Sequence, residues 1–288
     1  MTTAPSGVRS VADHEIKLAW PLAAFFLVFF VAPLAILLIV SLYMDPTMTR
    51  FGIAQYAKFV LDPFSLRVLG STLFLGVEVT VVCLVLGFPL AWLYVRASGA
   101  AQTILIMIVL LPLLTSVVVR TFAWIVILGR QGIVNTALLE LGLIVTPLRL
   151  LYSEAGLVAA LAQVQMPLMV LPLITALGRL DPNLADASSA LGAGHWRTLV
   201  KITLPLSLPG IIAGCLLTYA AAIAAFITQT LIGGGQMLFM PMYIYQQSST
   251  LQNWPFAAAI SIVFLVAVLA VVTIFNVLGR LSQGYANA

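Results

Sequence analysis

The chain has 288 residues, 62% of them hydrophobic and 8% charged, with a mean hydropathy of +1.13 and a formal charge of +4. A soluble globule of this size has too little interior for so much apolar surface, so a lipid bilayer is the expected solvent. The basic residues are scattered between apolar runs and form no stripe, which excludes nucleic acid as the expected partner, and Cys83 and Cys215 lack the spacing of a disulfide framework or a zinc site.

In chain order, residues 1–17 form a polar segment carrying Arg9, His14 and Lys17. The apolar run at 18–43 is longer than a signal-peptide core and lacks a small-residue cleavage pattern, so it is predicted to be a first membrane helix. Runs of sufficient length to span follow at 66–95, 101–128, 156–177, 206–232 and 255–278, giving six spans with both termini on one side. Seven basic residues (Arg9, Lys17, Arg96, Arg179, Arg197, Lys201, Arg280) fall on that side and five (Arg50, Lys58, Arg67, Arg130, Arg149) on the other, a small bias toward cytosolic termini. The outer connections are longer. Residues 45–62 alternate Phe51, Ile53, Tyr56, Phe59 and Val60 with polar residues, as an interfacial segment would, and 239–245 is an aromatic-rich stretch expected at the bilayer edge or outer mouth. Neither an internal repeat nor a low-complexity linker is evident, so 18–288 is expected to be one membrane domain behind the 1–17 segment.

Two charges fall inside spans. Glu78 follows Arg67 by eleven positions, about 16 Å along a helix and so near the expected midplane, whereas Arg120 lies toward the outer end of the third span. A charge at a membrane-helix centre costs on the order of 3 kcal/mol, so such residues face a bundle interior or a watery path. Glu78 is either a carboxylate that attracts a cationic substrate or a group hydrogen-bonded between helices; Arg120 reads as a structural anchor. Trp124, Tyr219 and Phe226 offer cation–π faces to a path or, alternatively, plain packing. Pro89, Pro112, Pro167 and Pro172 lie within spans and predict kinks.

The polar island at 181–210 is the most patterned part of the chain. Asp181 is placed to cap a helix whose first position is Pro182 and which continues over 183–191; Gly192 and Gly194 permit a turn, and Trp196, Leu199, Val200 and Ile202 recur at helical spacing before Pro205 and Pro209. A helix-Gly-helix hairpin of this kind, bearing Trp196, Arg197 and Lys201, suits a docking element. His14 and His195 have no acidic or Cys neighbours at metal spacing, and the chain carries no Gly-x-x-x-x-Gly-Lys-[Ser/Thr] phosphate loop.

The run Asp186-Ala187-Ser188, then Gly192, then Ile202-Thr203-Leu204-Pro205, resembles the EAA loop of permease subunits in binding-protein-dependent ABC importers, with its spacing intact. Asp186 stands where that family prefers Glu, and Ser188 where it prefers Ala. The stretches Arg120-Thr-Phe-Ala-Trp124 and Leu128-Gly-Arg-Gln-Gly132-Ile-Val-Asn135 resemble the spermidine/putrescine branch, in particular its first permease subunit, and the likeness extends over about residues 66–280. The resemblance implies an all-α integral membrane protein: a six-span helical bundle of the type I ABC importer permease class, with 181–205 as a cytosolic coupling hairpin. It further implies that Asp186, Ala187, Ser188, Gly192, His195, Trp196, Arg197, Ile202, Leu204 and Pro205 meet an ATPase, and that Glu78, Trp124, Tyr219 and Phe226 are candidates for the substrate path. The implied partners are a second homologous permease, two cytosolic ATPase subunits that use ATP and Mg, and an external or periplasmic substrate-binding protein, in a bacterial inner membrane. On this reading the chain binds no cofactor and is not itself an enzyme, and its cargo is a polyamine or a related small organic cation. The rivals are an ABC permease for another small solute, an ion-gradient-driven transporter, and a membrane-embedded enzyme or scaffold. The last two call for repeated halves with midplane ion ligands, or for convergent catalytic groups, and the sequence shows neither.

Overall fold

The computed structural model describes residues 20–181 and 183–284. The expected N-terminal segment 1–17 and the Pro182 helix start lie outside the described residues. Among those described, regular structure is helical throughout, with one isolated bridge, Tyr43 to Phe51. Among the described residues, five helices are long and apolar enough to cross a membrane, or six when a bent pair counts as one.

By internal contacts the chain divides into two compact units. The first takes the described residues up to Asp62 together with Ile244–Val263. Its α1 (Trp20–Ser41) exposes nearly its whole apolar surface, and Phe25 and Phe29 stack at 4.7 Å along it. A wide π turn, Leu27–Val31, sits two residues before Pro33. Proline cannot donate to the carbonyl one turn back and its ring crowds it, so widening the turn relieves the conflict without ending the helix. The predicted interfacial segment is a helix, α2 (Ala54–Leu61), with Phe59 buried, Val60 and Leu61 exposed, and Lys58 4.2 Å above the ring of Phe256. Tyr56 meets the buried Ser41 hydroxyl at 2.5 Å. Ahead of α2, Asp45 accepts from the Thr47 and Thr49 hydroxyls and from the Thr49 and Arg50 amides. Those donors hold its carboxyl well below the usual carboxylate range.

The second unit is built on α3 (Pro63–Arg96), α7 (Glu154–Leu177) and α10 (Leu208–Ile223). They approach closely because small residues face one another. A Cβ at Gly214 would lie 2.8 Å from the Met169 sulfur, and one at Gly210 would lie 2.8 Å from the Pro172 carbonyl oxygen. In lipid, where apolar surface gains little by leaving solvent, such backbone approach supplies the packing that holds helices together. Buried Leu75, Val79, Leu161, Met169, Val170 and Leu173 fill the seam. Both α3 and α7 run on unbroken through their internal prolines, Pro89 in one and Pro167 and Pro172 in the other.

Two expected spans are broken. The third consists of α4 (Ala100–Leu114) and α5 (Val117–Leu128), separated by the extended Thr115, with the short α6 (Ile133–Glu140) following. Pro112 accounts for the stop, since it withholds a donor in the last turn of α4. The fifth consists of α10 and α11 (Phe226–Gly233), joined at Ala225, whose φ of −76° and ψ of 64° make an inverse γ-turn closed by Phe226 N donating to Ala224 O at 2.8 Å. The stretch expected at the bilayer edge or outer mouth packs three of its side chains against the protein and leaves Tyr245 exposed. Phe239, Met240 and Tyr243 are buried, Met240 N donates to Thr72 Oγ1 at 2.9 Å, and Tyr243 meets Ser65 at 2.9 Å. Apolar side chains displace water from this stretch, and α3 supplies the hydroxyl partners it needs.

Candidate functional site: a coupling hairpin and a polar path

The hairpin starts where Asp181 predicts, with its carboxylate accepting from Asn183 N at 2.9 Å to cap α8 (Asn183–Ala190). It turns through Gly192 at φ +78°. Ala193 N donates to Ser188 O at 3.0 Å and Gly192 N to Ser189 O at 2.9 Å, the paired bonds of a Schellman ending. The return helix α9 (His195–Leu206) contains a π turn, Leu199–Thr203, again two residues before a proline, Pro205. At Ser207 the chain bends by 66° into α10.

One bond locks the two arms. Ser188 and Thr198, both buried, meet hydroxyl to hydroxyl at 2.8 Å. Ser188 is therefore an internal pin, which corrects its place among the residues expected on the docking surface: its hydroxyl is satisfied inside the hairpin and faces away from any partner. Sequence inspection missed the pair because the two residues stand ten apart, on different helices. Asp186, Ala187, His195, Trp196, Arg197 and Leu204 remain exposed, Trp196 at 76% and the neighbouring turn residue Leu191 at 89%. Ile202 and Pro205 are half-buried. Beneath the hairpin lies a cavity of about 240 Å³ lined by Trp92, Arg96, Leu184, Thr198, Ile202 and Leu206, in which the Arg96 guanidinium stands 3.9 Å over the Trp92 ring.

The four path candidates are not gathered at one point. Cys83 Sγ donates to Ala162 O at 3.3 Å, which fixes the register of α3 on α7. Glu78, five residues earlier on α3, is thus about 7.5 Å nearer the N-terminal end of that helix, and it faces the carboxyl of Glu154 at the start of α7. Glu78 is the sixteenth of the 34 residues of α3, close to the middle of that helix. Glu78 Oε2 is buried without a hydrogen-bond partner among the described residues. Glu154 was not among the sequence candidates, because as the first residue after the Ser153 cap it reads as a helix-start carboxylate. Trp124 Nε1 donates to Gln163 Oε1 on α7 at 3.3 Å, which orients its ring. Tyr219 is fully buried, 5.9 Å from Phe275, with its ring edge over Gly76 of α3. Tyr219 therefore packs between helices and presents no face to a path, a correction that follows from the small residue opposite it. Phe226 is half-buried at the start of α11. Arg120 donates to the Pro112 carbonyl, an anchoring contact.

No protein-family model matches the sequence. Curated relatives do, among them two from one organism. The spermidine/putrescine transport system permease protein PotB of Escherichia coli K12 is 34% identical over 212 residues, 74% of this chain and 77% of the relative. The chain belongs to the ABC importer permease family. The inner membrane ABC transporter permease protein YdcU of the same organism is 32% identical over 218 residues, 71% of this permease and 69% of the relative. The fold agrees: the permease superposes with a TM-score of 0.73 on a chain of a bacterial alginate ABC transporter, solved in complex with a periplasmic protein holding an alginate pentasaccharide, over 94% of this chain and 97% of that one at 20% identity. The permease is a membrane-embedded subunit of an ABC importer.

Proposed function

We propose that this permease moves polyamines or closely related small organic cations inward, in a complex with one homologous permease, two cytosolic ATPase subunits and an external binding protein. The observation that carries the reading is the likeness to the spermidine/putrescine permease across three quarters of the chain, 74%. The unpartnered Glu78 oxygen beside Glu154 supports it, because two carboxyl groups this close in a low-dielectric setting favour a bound cation. ATP and Mg belong to the partner ATPase, and both termini are cytosolic, on the side of the hairpin.

Coupling follows from the hairpin's construction. The exposed Asp186, Ala187, His195, Trp196, Arg197 and Leu204 meet the ATPase, while the Schellman turn at Gly192 and the Ser188–Thr198 bond keep both arms one body. Ile202 and Pro205 hold the return arm against the bundle. When ATP closes the ATPase pair, the hairpin moves with the subunit it grips. The bend at Ser207 passes that movement to α10, whose packing on α3 and α7 then exchanges an inward-open for an outward-open arrangement. Glu78 and Glu154 receive the cation from the outer side, and Trp124, held by Gln163, offers it a π face deeper in the membrane.

The substrate is tested by titrating the binding protein encoded beside this chain with spermidine, putrescine and anionic solutes in a calorimeter. Tight binding of a polyamine is expected. Tight binding of an anion, with none of a polyamine, overturns the assignment.

A further inference from the structure

Both broken spans are closed in the same way, by a side chain from the outer half that donates back to the carbonyls at the end of the inner half. In the third span the Arg120 guanidinium on α5 reaches the Pro112 carbonyl of α4, which also accepts from Thr115 Oγ1 at 3.1 Å. In the fifth, Gln229 on α11, only 1% exposed, donates through Nε2 to Ala222 O at 2.8 Å and Ile223 O at 3.3 Å on α10. The last carbonyls of a helix lack partners within it, and inside a bilayer no water replaces them, so these donors hold each inner half to its outer half.

The two outer halves are also tied to each other. Thr121 of α5 and Thr228 of α11, each 1% exposed, meet at 3.3 Å, and Thr121 spends its own proton on Val117 O at 2.8 Å, which leaves the Thr228 hydroxyl to donate. Measured back from this contact, the breaks at Ser116 and Ala225 lie five and three residues inward, about 7.5 and 4.5 Å along their helices. The hinges therefore stand at nearly one depth. Two parallel half-helices joined side to side and hinged at a common level can swing together without breaking their mutual contact.

We propose that α5 and α11 form a single outer gate, and that the Arg120 and Gln229 donors are its latches, holding the arrangement seen here until the transport cycle releases them. Neither group need touch the cargo; each acts by positioning a helix. The inference rests on the permease reading.

The test uses the complete complex of both permeases, ATPase and binding protein, purified after assembly and placed in liposomes. Arg120→Met and Gln229→Leu keep the side-chain bulk and remove the donor. Each is expected to raise ATP hydrolysis without binding protein, and the labelling rate of Ala222→Cys, whose native residue is fully buried, by about fivefold, the population shift that follows loss of one net hydrogen bond. Arg120→Lys, which retains a donor, stays near wild type. A Thr121→Cys, Thr228→Cys cross-link should leave uptake intact, because the gate moves as one body. Wild-type hydrolysis and labelling in both latch variants would refute the latch, and loss of uptake on cross-linking would refute the single gate. A wild-type complex that binds no ATPase and transports nothing would bring down the permease reading, and the gate with it.

Discussion

Replacing Gly192 with valine while leaving Gly194 untouched separates backbone strain from simple bulk. A Cβ at Gly192 meets no atom within 4 Å, so the substitution creates no clash. What it does create is a β-branched residue at φ +78°, where the side chain crowds its own backbone. That costs about 2 kcal/mol, which lowers the population of the observed turn about thirtyfold against a relaxed one. A relaxed turn loses the Ala193 and Gly192 bonds to α8 and re-aims Trp196 and Arg197. Gly194 also has open space, but its φ of −71° and ψ of 159° suit any residue, so Gly194→Val serves as the bulk control. Both variants should insert and pair with the second permease. Gly192→Val should lose most of the ATPase on size-exclusion chromatography and most substrate-stimulated hydrolysis, Gly192→Asn should lose less, and Gly194→Val should keep both. Equal behaviour of the two valine variants would refute the argument from φ.

Other consequences follow from the same contacts. Ser188→Ala should lower the thermal stability of the complex by about 1 kcal/mol, since it removes the bond between the arms and leaves the buried Thr198 hydroxyl only its long 3.4 Å bond to Gly194 O, and adding Thr198→Val should recover part of the loss in a melting measurement. Gly214→Val forces a branched side chain against the Met169 sulfur and backbone and should cost about 1–3 kcal/mol, read as reduced yield of assembled complex. Glu78→Gln should assemble normally and slow uptake more for spermidine than for putrescine, because the lost attraction scales with substrate charge; equal slowing of both counts against a cation site. Asp45→Ala removes the acceptor for four loop donors and should speed tryptic cleavage after Arg50 severalfold at neutral pH.

Much of this was legible because local chemistry and final structure agree. The Asp181 cap, the positive φ of Gly192 and the length of the apolar runs each depend on residues adjacent in sequence, where turn and bilayer physics act directly. The helix breaks were less visible. Pro112 announced a kink, but the stop itself comes two residues later, and the alanine-rich run at 220–225 reads as continuous helix. Its break exists because Gln229, buried by tertiary packing, satisfies the carbonyls that an unbroken helix would have used. Tyr219 misled for the same reason: an aromatic at helical spacing gives no sign of whether a glycine or a cavity stands opposite, and here it is Gly76. Glu154 and the Ser188–Thr198 pin involve partners remote in sequence, and no periodicity points to either.

The claim at the centre is that this chain is a membrane subunit of an ATP-driven polyamine importer. Its most direct test is uptake of labelled spermidine into liposomes holding the permease pair, the ATPase and the binding protein. Uptake should require ATP inside the assay on the ATPase side, vanish without the binding protein, and persist when ionophores collapse proton and sodium gradients. Spermidine uptake that proceeds without the ATPase and stops when those gradients are collapsed would contradict it.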